Sequence, residues 1–154
     1  MGKQIIEKSS EKVVTTNRQA RHDYHIYDTV EAGLVLVGTE VKALREGKAN
    51  LRDAFAQVED GEMILYELNI SHYSHGNITN HEPLRPRKLL LHRKEIIKLG
   101  RKVEEKGFTL IPLKLYFKSG KAKIQIALTK GKKMYDKREA IKKRDQKRDM
   151  AQSY

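Results

Sequence analysis

The sequence predicts a mainly β protein with short helices, whose strands close into a small antiparallel barrel. Three observations support this class. Apolar and polar residues alternate in several short runs, tight-turn signals separate those runs, and glycines mark the ends of two helical stretches. Closure into a barrel protects strand edges that a small open sheet would expose.

Two hairpins supply most of the predicted strands. The run at residues 108–117 and the run at residues 124–128 alternate on either side of a turn at residues 118–121. A second hairpin joins residues 55–58 to residues 63–68, and its Asp-Gly turn supplies the positive φ that a tight turn needs. Strict alternation places four apolar residues of the first run on one side: Ile111, Leu113, Leu115 and Phe117.

The remaining regular elements are shorter. We predict two further strands, Tyr24 to Tyr27 and Leu34 to Val37, on either side of Glu31-Ala32-Gly33. One helix is expected from Thr39 to about Glu46, and a longer one from about Arg93 to Lys106. The longer helix carries a single apolar stripe made of Ile96, Leu99 and Val103. Residues 71–87 contain two prolines and are predicted to form a long surface loop.

The charge of the chain points to a polyanionic partner. Its 154 residues carry a formal net charge of +12, which favours RNA or DNA first and an anionic membrane surface second. No window is apolar enough to span a membrane, and residues 1–12 lack the apolar core of a secretory signal. Cysteine is absent, which excludes disulfides and fits a reducing compartment. We therefore expect a soluble, cytoplasmic monomer.

Half of the excess charge lies in the last residues. From Lys130 to Tyr154 there are ten Lys and Arg against four Asp and Glu, and few apolar residues that could build a core. Such a segment is expected to stay disordered in isolation. It is either a solubilising extension or a segment that becomes helical when phosphates neutralise it. We therefore divide the chain into a folded domain at residues 1–130 and a basic tail at residues 131–154.

No pattern of residues indicates catalysis. His72, His75 and His81 are close enough in sequence to suggest a metal site, but without a cysteine and with only Glu82 as a nearby acidic ligand we interpret them as surface polar residues. Glu40 and Glu46 are interpreted as charges on a helix face. Phosphate-loop and nucleophile-elbow motifs are also missing. The sequence thus predicts a protein that is not an enzyme and has no metal or cofactor.

Two basic clusters indicate RNA binding. Residues 17–25 combine guanidinium groups, aromatic rings and an amide, a mixture that grips unstacked bases and their phosphates. The second cluster is formed by Arg85, Arg87, Lys88, His92, Arg93 and Lys94. A solvated basic surface without a ligand is the alternative for either cluster taken alone.

Five ordered motifs resemble the SsrA-binding protein family, also called small protein B. They are NRQA at residues 17–20, GTEVKALR at 38–45, LHR at 91–93, TLIPLKLY at 109–116 and GKKMYDKR at 131–138. The resemblance extends from about Val13 to Arg144. It implies an antiparallel barrel akin to the oligonucleotide-binding fold. It also implies a protein that binds the tRNA-like end of transfer-messenger RNA and delivers it to stalled bacterial ribosomes, where unfinished peptides are tagged for degradation.

The resemblance also implies roles for particular residues. The loop with Asn17 and the surroundings of Glu31 and Leu91 would form the RNA face, while His22 would lie towards the ribosome. The tail would enter the empty message channel and become helical there, with Tyr135 where many relatives have histidine. The RNA-binding candidates are Asn17, Arg18, Arg21, His22, Tyr24, Glu31, Lys42, Arg45, Leu91, His92 and Arg93. The ribosome-binding candidates in the tail are Gly131, Lys132, Lys133, Tyr135, Asp136, Lys137 and Arg138.

Two other classes remain possible on the residues alone. A ribosomal or ribosome-assembly protein would also combine a small barrel with a basic extension. A metal-dependent RNA hydrolase would need the histidine loop at residues 72–81 to hold an ion.

Overall fold

The computed structural model describes residues 11–75 and 80–132. The proposed helix of the tail and the candidates Lys133, Tyr135, Asp136, Lys137 and Arg138 lie outside the described residues, as do residues 1–10. The strands are β1 (Glu11–Thr16), β2 (Tyr24–Leu34), β3 (Ala49–Asn50), β4 (Phe55–Glu59), β5 (Glu62–Tyr66), β6 (Asn69–Ile70), β7 (Arg87–Leu90), β8 (Thr109–Lys118) and β9 (Lys121–Gly131). The helices are α1 (Arg18–Asp23), α2 (Gly38–Arg45) and α3 (Arg93–Lys106).

Six antiparallel strands close into a barrel, which confirms the predicted fold class. The ring runs β8-β4-β5-β7-β2-β9 and closes where β9 pairs with β8. Strand β1 lies outside the ring and pairs with the second half of β8, while Leu110 near the start of β8 pairs with β4. Strands β3 and β6 form a separate short pair. No helix among the described residues has the length and apolar character needed to cross a membrane.

The core fills the barrel, and two helices contribute to it. Leu65, Leu115 and Ile124 from three different strands are fully buried in it. Helix α2 adds Ala43 and Leu44, and helix α3 adds its predicted stripe: Ile96 and Leu99 are buried, and Val103 packs against them. At about 25 cal/mol per Å² of apolar surface removed from water, these side chains supply the main driving force for folding.

The turn signals give the correct positions of the two hairpin turns, and the helix signals give the correct bounds of the long helix, whereas β5 ends earlier and β9 is longer than predicted. Asp60 and Gly61 have φ of 49° and 77° in the β4–β5 turn, and Ser119 and Gly120 have φ of 51° and 77° in the β8–β9 turn. Two successive residues at positive φ match the twist of the flanking strands. Helix α3 begins at Arg93 and ends at Lys106, as predicted.

Three local predictions are wrong or incomplete. Residues 24–34 form one long strand, β2, because it pairs with β9 along almost its whole length, so Glu31-Ala32-Gly33 is strand and not a turn. Strand β8 has a bulge between Pro112 and Lys114, so its alternation reverses there. Ile111 and Leu113 consequently pack outside the barrel, whereas Leu115 lies in the core and Phe117 packs against it. Strands β1, β3, β6 and β7 and helix α1 were not predicted from the sequence.

Candidate nucleic-acid interface

Asn17 fixes the start of α1 on the outside of the barrel. Its Oδ1 accepts a hydrogen bond from the Ala20 N–H at 3.2 Å, which caps the helix. Its Nδ2 donates to the carbonyl oxygens of Pro112, at 3.1 Å, and Leu51, at 3.3 Å. The Asn17 side chain is buried and these bonds occupy its amide, so it holds the segment in place.

Helix α1 presents basic side chains because its small apolar face is covered. Ala20 packs with Ile111, Leu113 and Ala127 in a second apolar cluster outside the barrel. Three neighbouring side chains point away from this cluster and are exposed: Arg18, Arg21 and His22. The segment predicted as a basic loop is therefore a short helix that holds its cations in a fixed arrangement.

The strands beside α1 form a lysine-rich surface that the sequence analysis did not identify. Lys114 and Glu31 both lie opposite Gln125, and Tyr116 lies opposite Lys123. Because paired residues and every second residue of a strand share one side of a sheet, these side chains project together. We call this surface the outer face; it consists of Glu31, Lys114, Tyr116, Lys118, Lys121, Lys123 and Gln125.

The outer face and α1 occupy the same side of the barrel. Ala127, on which Ala20 packs, lies two residues beyond Gln125 along β9 and therefore on the same side of the sheet. The Asn17 segment and Glu31, which the family resemblance assigns to one face, are thus on one surface. The alternation of LKLYFK at residues 113–118 was the sequence signal that could have identified Lys114 and Lys118.

Glu31 is held in place within the outer face. The Tyr116 hydroxyl donates a hydrogen bond to Glu31 Oε2, and Lys118 Nζ lies 3.6 Å from the same oxygen. The hydrogen bond from Tyr116 lowers the pKa of the Glu31 carboxyl, outweighing burial, and Lys118 and Lys123 lower it further. Burial, followed by the contact with Glu31, raises the pKa of the Tyr116 hydroxyl. Glu31 is therefore an ionised acceptor of fixed orientation, flanked by cations.

An apolar notch of about 370 Å³ borders the outer face where β2 ends. Gly33, Leu90 and Phe117 line it, with Lys121 and Lys123 at its edge. Leu90 is 55% exposed beside Gly33, its partner across the strands, while Leu91 is half-buried and packs against the main core. The notch places an apolar surface next to cations.

Helix α2 carries two further predicted cations, of which Arg45 lies near the notch. Lys42 Nζ lies 5.6 Å from the centroid of the Tyr73 ring, and Arg45 Cζ lies 5.9 Å from that of Phe117. Both side chains remain exposed. Because Phe117 lines the notch, Arg45 lies close to it. His92 and Arg93, at the start of α3, are also exposed.

The second predicted basic cluster does not form one surface. Arg87 is fully buried: its Nε donates to Glu40 Oε2 at 2.6 Å, and its Nη1 donates to the Leu68 carbonyl at 2.5 Å. Arg85 Nη2 donates to Glu40 Oε1 at 2.6 Å. The two arginines therefore neutralise Glu40 in the protein interior, whereas Lys88 and Lys94 are exposed.

The interpretation of Glu40 as a surface charge is also wrong. Its carboxylate is fully buried and accepts a hydrogen bond from the Val37 N–H at 2.9 Å, at the start of α2. Burial raises the pKa of Glu40, but the hydrogen bonds from Arg85 and Val37 and the charge of Arg87 outweigh it, so the net shift is downward. Glu40 thus joins α2 to the segment that leads into β7.

The histidine loop is more structural than predicted. His81 is buried, and its Nδ1 lies 2.9 Å from Thr39 Oγ1 while its Nε2 lies 2.8 Å from the Ile70 carbonyl oxygen. Its interpretation as a surface residue is therefore wrong, because both ring nitrogens are hydrogen-bonded internally. His72 and His75 are exposed. Within residues 11–75 and 80–132, no three His, Asp or Glu side chains are grouped as a metal site would require.

The described part of the tail begins beside α1. Tyr24, which follows α1 directly, pairs with Gly131, and His25 pairs with Lys130. Lys132 is half-buried. The chain therefore leaves the barrel next to His22 and Tyr24, and away from Glu31, which lies seven residues further along β2.

Comparisons with known proteins point to one family. A sequence model of the SmpB protein family matches residues 14–154. The chain is 61% identical over 139 residues to the SsrA-binding protein of Pelotomaculum thermopropionicum, covering 90% of this chain and 91% of that protein. It is 57% identical over 154 residues to the SsrA-binding protein of Moorella thermoacetica, covering 99% and 96% of the two proteins.

A solved structure gives the same result. A chain from the structure described as "tmRNA-SmpB: a journey to the center of the bacterial ribosome" matches with a TM-score of 0.66 and 52% identity. The match covers 77% of this chain and 83% of that chain.

Proposed function

This chain belongs to the SmpB protein family, and we propose that it binds transfer-messenger RNA through the tRNA-like domain of that RNA. It delivers the RNA to stalled bacterial ribosomes for trans-translation, in which unfinished peptides are tagged for degradation. The observation that carries the proposal is the outer face, where four lysines share one side of the sheet with a fixed carboxylate, beside the basic helix α1.

The outer face divides RNA recognition between two kinds of group. Lysine ammonium groups attract phosphates without regard to sequence, and they account for most of the affinity. A carboxylate repels phosphate, so Glu31 instead accepts hydrogen bonds from base N–H or ribose 2′-OH groups. Because Tyr116 and Lys118 fix its orientation, Glu31 meets the RNA without first losing rotamer freedom.

The other candidates fall into supporting and contacting roles. Asn17 acts from the interior by holding α1, so that Arg18 and Arg21 reach the RNA from one side of the outer face. Lys42, Arg45 and Leu91 extend the contact around the apolar notch, and His92 and Arg93 extend it to the start of α3.

His22 and the tail form the ribosome side in this proposal, while Tyr24, next to the point where the tail begins, is a further contact with transfer-messenger RNA. Residues 1–130 act as the RNA-binding domain, and residues 131–154 enter the empty message channel as a helix. The positive tail is ordered there because ribosomal RNA neutralises it, which an isolated chain in water cannot do. Tyr135 retains the stacking capacity of the histidine found in many relatives, but not a protonated imidazole.

In this proposal the protein binds RNA and catalyses no reaction. It acts in the bacterial cytoplasm. The protein is not an enzyme, requires no metal or cofactor, and acts as a monomer. Its barrel takes the place of the anticodon half that a tRNA-like RNA lacks, and its tail reports that the message channel is empty.

Salt dependence tests the RNA-binding part of the proposal. The affinity of the full chain for a folded tRNA-like domain is expected to fall linearly on a log–log plot, with a slope of about 0.7 to 0.9 per phosphate contacted. The measurement is a binding titration at several potassium concentrations. A flat dependence would exclude a phosphate-binding outer face.

Truncation tests the division between barrel and tail. Removing residues 131–154 is expected to leave RNA affinity within about tenfold, or about 1.4 kcal/mol, and to abolish peptide tagging on stalled ribosomes. Equal loss of both activities would refute the division.

A further inference from the structure

A pair of aromatic rings and an ammonium group meet where β2 and β9 approach the tail. The rings of Tyr27 and Phe108 lie edge to face, with centroids 5.0 Å apart and planes at 70°. Lys130 Nζ lies 4.7 Å from the centroid of Phe108. We call these three residues the aromatic platform. None of them belongs to the RNA-binding candidates or to the outer face.

A β-bulge exposes the outermost ring. Ile26 pairs with Thr129 and Asp28 pairs with Leu128, so Tyr27 is an extra residue without a partner in β9. Bulges of this kind redirect a side chain away from the regular alternation of a strand. Tyr27 is 59% exposed, more than any other large apolar side chain in the described part of the chain.

The other two members hold the platform in place. Phe108 is half-buried and packs against the main core, so it gives Tyr27 a fixed support. Its ring also holds the Lys130 ammonium by a cation–π contact, so Phe108 carries both the exposed Tyr27 ring and a positive charge. An open aromatic ring with an adjacent cation suits an unpaired RNA base and its phosphate, since every base has a π face.

The position of the platform separates it from the outer face. Tyr27 is four residues from Glu31 along β2, about 13 Å at the usual rise of a strand. Lys130 shares its side of β9 with the core residues Ile126 and Leu128, whereas Gln125 projects from the opposite side. One base cannot contact both surfaces. The platform instead adjoins Gly131, where the basic tail begins.

We propose that the aromatic platform stacks on an unpaired base of ribosomal RNA and so anchors the barrel where the tail enters the ribosome. This inference rests on the proposed function for the identity of the RNA. The contact is separate from the one with transfer-messenger RNA, so the two are separable by substitution.

The chain contains no tryptophan, so Tyr27→Trp introduces a single fluorophore that keeps a stacking ring. In the full-length chain, its emission is expected to be quenched by purified ribosomes and unchanged by isolated transfer-messenger RNA. Leu84→Trp is the matched control, because Leu84 is exposed, lies outside the platform and is not among the RNA-binding candidates. Its emission is expected to stay unchanged when ribosomes or transfer-messenger RNA are added.

Affinity measurements provide a second readout. Tyr27→Ala is expected to weaken ribosome binding about five- to hundredfold, the usual value of one base stacked on a ring, and to change affinity for transfer-messenger RNA less than twofold. Tyr27→Phe is expected to bind both as the wild type does. Thermal unfolding shows whether Tyr27→Ala folds; if it does not, Tyr27→Leu replaces it, because leucine covers Phe108 without offering a ring.

Three results would overturn the inference. Ribosome binding by Tyr27→Leu at wild-type strength would show that the ring only covers Phe108. If ribosomes do not quench the emission of Tyr27→Trp, stacking on ribosomal RNA is excluded. If transfer-messenger RNA alone quenches it, the platform binds that RNA and not the ribosome. A wild-type chain that binds ribosomes but not transfer-messenger RNA would instead refute the proposed function and leave the platform intact.

Discussion

Two groups of basic residues in this chain have opposite surroundings. Arg87 is enclosed by the protein, and its guanidinium donates to Glu40 and to backbone carbonyls. Arg21 projects from α1 into solvent, and the small face of that helix is packed underneath. Sequence alone groups both among RNA-binding cations. The structure shows that one satisfies a buried carboxylate and the other is available to a ligand.

The difference lies in where the counter-charge is. A buried ion must be paired and hydrogen-bonded, because its loss of hydration costs several kcal/mol. Glu40 supplies that pairing for Arg87 from within the fold. Among residues 11–75 and 80–132, the carboxylates that pair with the four lysines of the outer face are Glu31 and Glu11, so this part of the surface retains net positive charge. We therefore propose that an excess of cations over anions on a surface, and not the number of cations, distinguishes the RNA-binding region.

The largest expected effect comes from breaking the buried pair. Arg87→Met is expected to lower the free energy of unfolding by about 3–5 kcal/mol, because Glu40 keeps its buried charge but loses the fully buried one of its two arginine partners. Urea unfolding measures the loss, and RNA affinity of the folded fraction is expected to stay unchanged.

The neighbouring lysine is the matched control. Lys88 is exposed and pairs with Glu62 at the surface, at 3.4 Å. Lys88→Met is expected to change stability by less than about 1 kcal/mol. Similar losses for the two variants would remove the distinction between buried and exposed cations.

The Tyr116–Glu31 contact is intermediate between a buried and a surface pair, because the hydroxyl is buried and the carboxylate is 40% exposed. Tyr116→Phe is expected to weaken binding to transfer-messenger RNA by about 1.5 kcal/mol, the net value of a hydrogen bond to a charged group. In a Glu31→Ala background the same substitution is expected to have little further effect. Filter binding on the four proteins measures the coupling. Full additivity would show that Tyr116 does not act through Glu31.

Lowering the pH is expected to destabilise the protein, because Glu40 in the buried pair becomes protonated. Its pKa is lowered in the folded protein, so the folded state binds fewer protons than the unfolded state below the ordinary pKa of 4.5. Its stabilising contribution is present above that pH and is lost as pH falls through the folded pKa, by at most about 1.4 kcal/mol per pH unit.

Comparison with a variant isolates that contribution. Glu31 and Glu46 also have lowered pKa values, so they titrate in the same range and only a difference is informative. Urea unfolding at several pH values below 4.5 is expected to show a shallower dependence in Glu40→Gln than in the wild type. If the free energy of unfolding falls equally steeply with pH in both proteins, Glu40 does not contribute to the pH dependence of stability.

The smallest effect is expected at an exposed cation. Arg21→Gln is expected to reduce the salt-dependence slope of RNA binding by about 0.7 to 0.9, the value of one phosphate contact. Stability is expected to change by less than about 0.5 kcal/mol. Binding titrations over a range of salt concentrations provide the measurement. An unchanged slope would place Arg21 outside the interface.

Turn and helix-end residues predicted the elements that depend on contacts between residues close in sequence. The Asp60-Gly61 dipeptide gave the correct position of a hairpin turn, and the glycine after Lys106 gave the correct end of α3. Where distant pairing decides the structure, prediction failed. Strand β2 continues through Ala32-Gly33 because β9 pairs with it, and α1 forms because Asn17 is held by Pro112 and Leu51.

The site was predicted in the same uneven way. The motifs and the family resemblance indicated Arg18, Arg21 and Glu31, which the structure shows to be exposed; their contact with RNA stays a prediction. Arg87 was misassigned because its partner Glu40 is 47 residues away. Lys118 and Lys123 join Glu31 only through strand pairing, which sequence spacing does not reveal.

Lysine acetylation followed by mass spectrometry, with and without the tRNA-like domain, tests the outer face most directly. RNA is expected to protect Lys118, Lys121 and Lys123 and to leave Lys88 and Lys98, which are exposed elsewhere, as reactive as in the free protein. Protection of Lys88 and Lys98 with unchanged reactivity on the outer face would contradict the account.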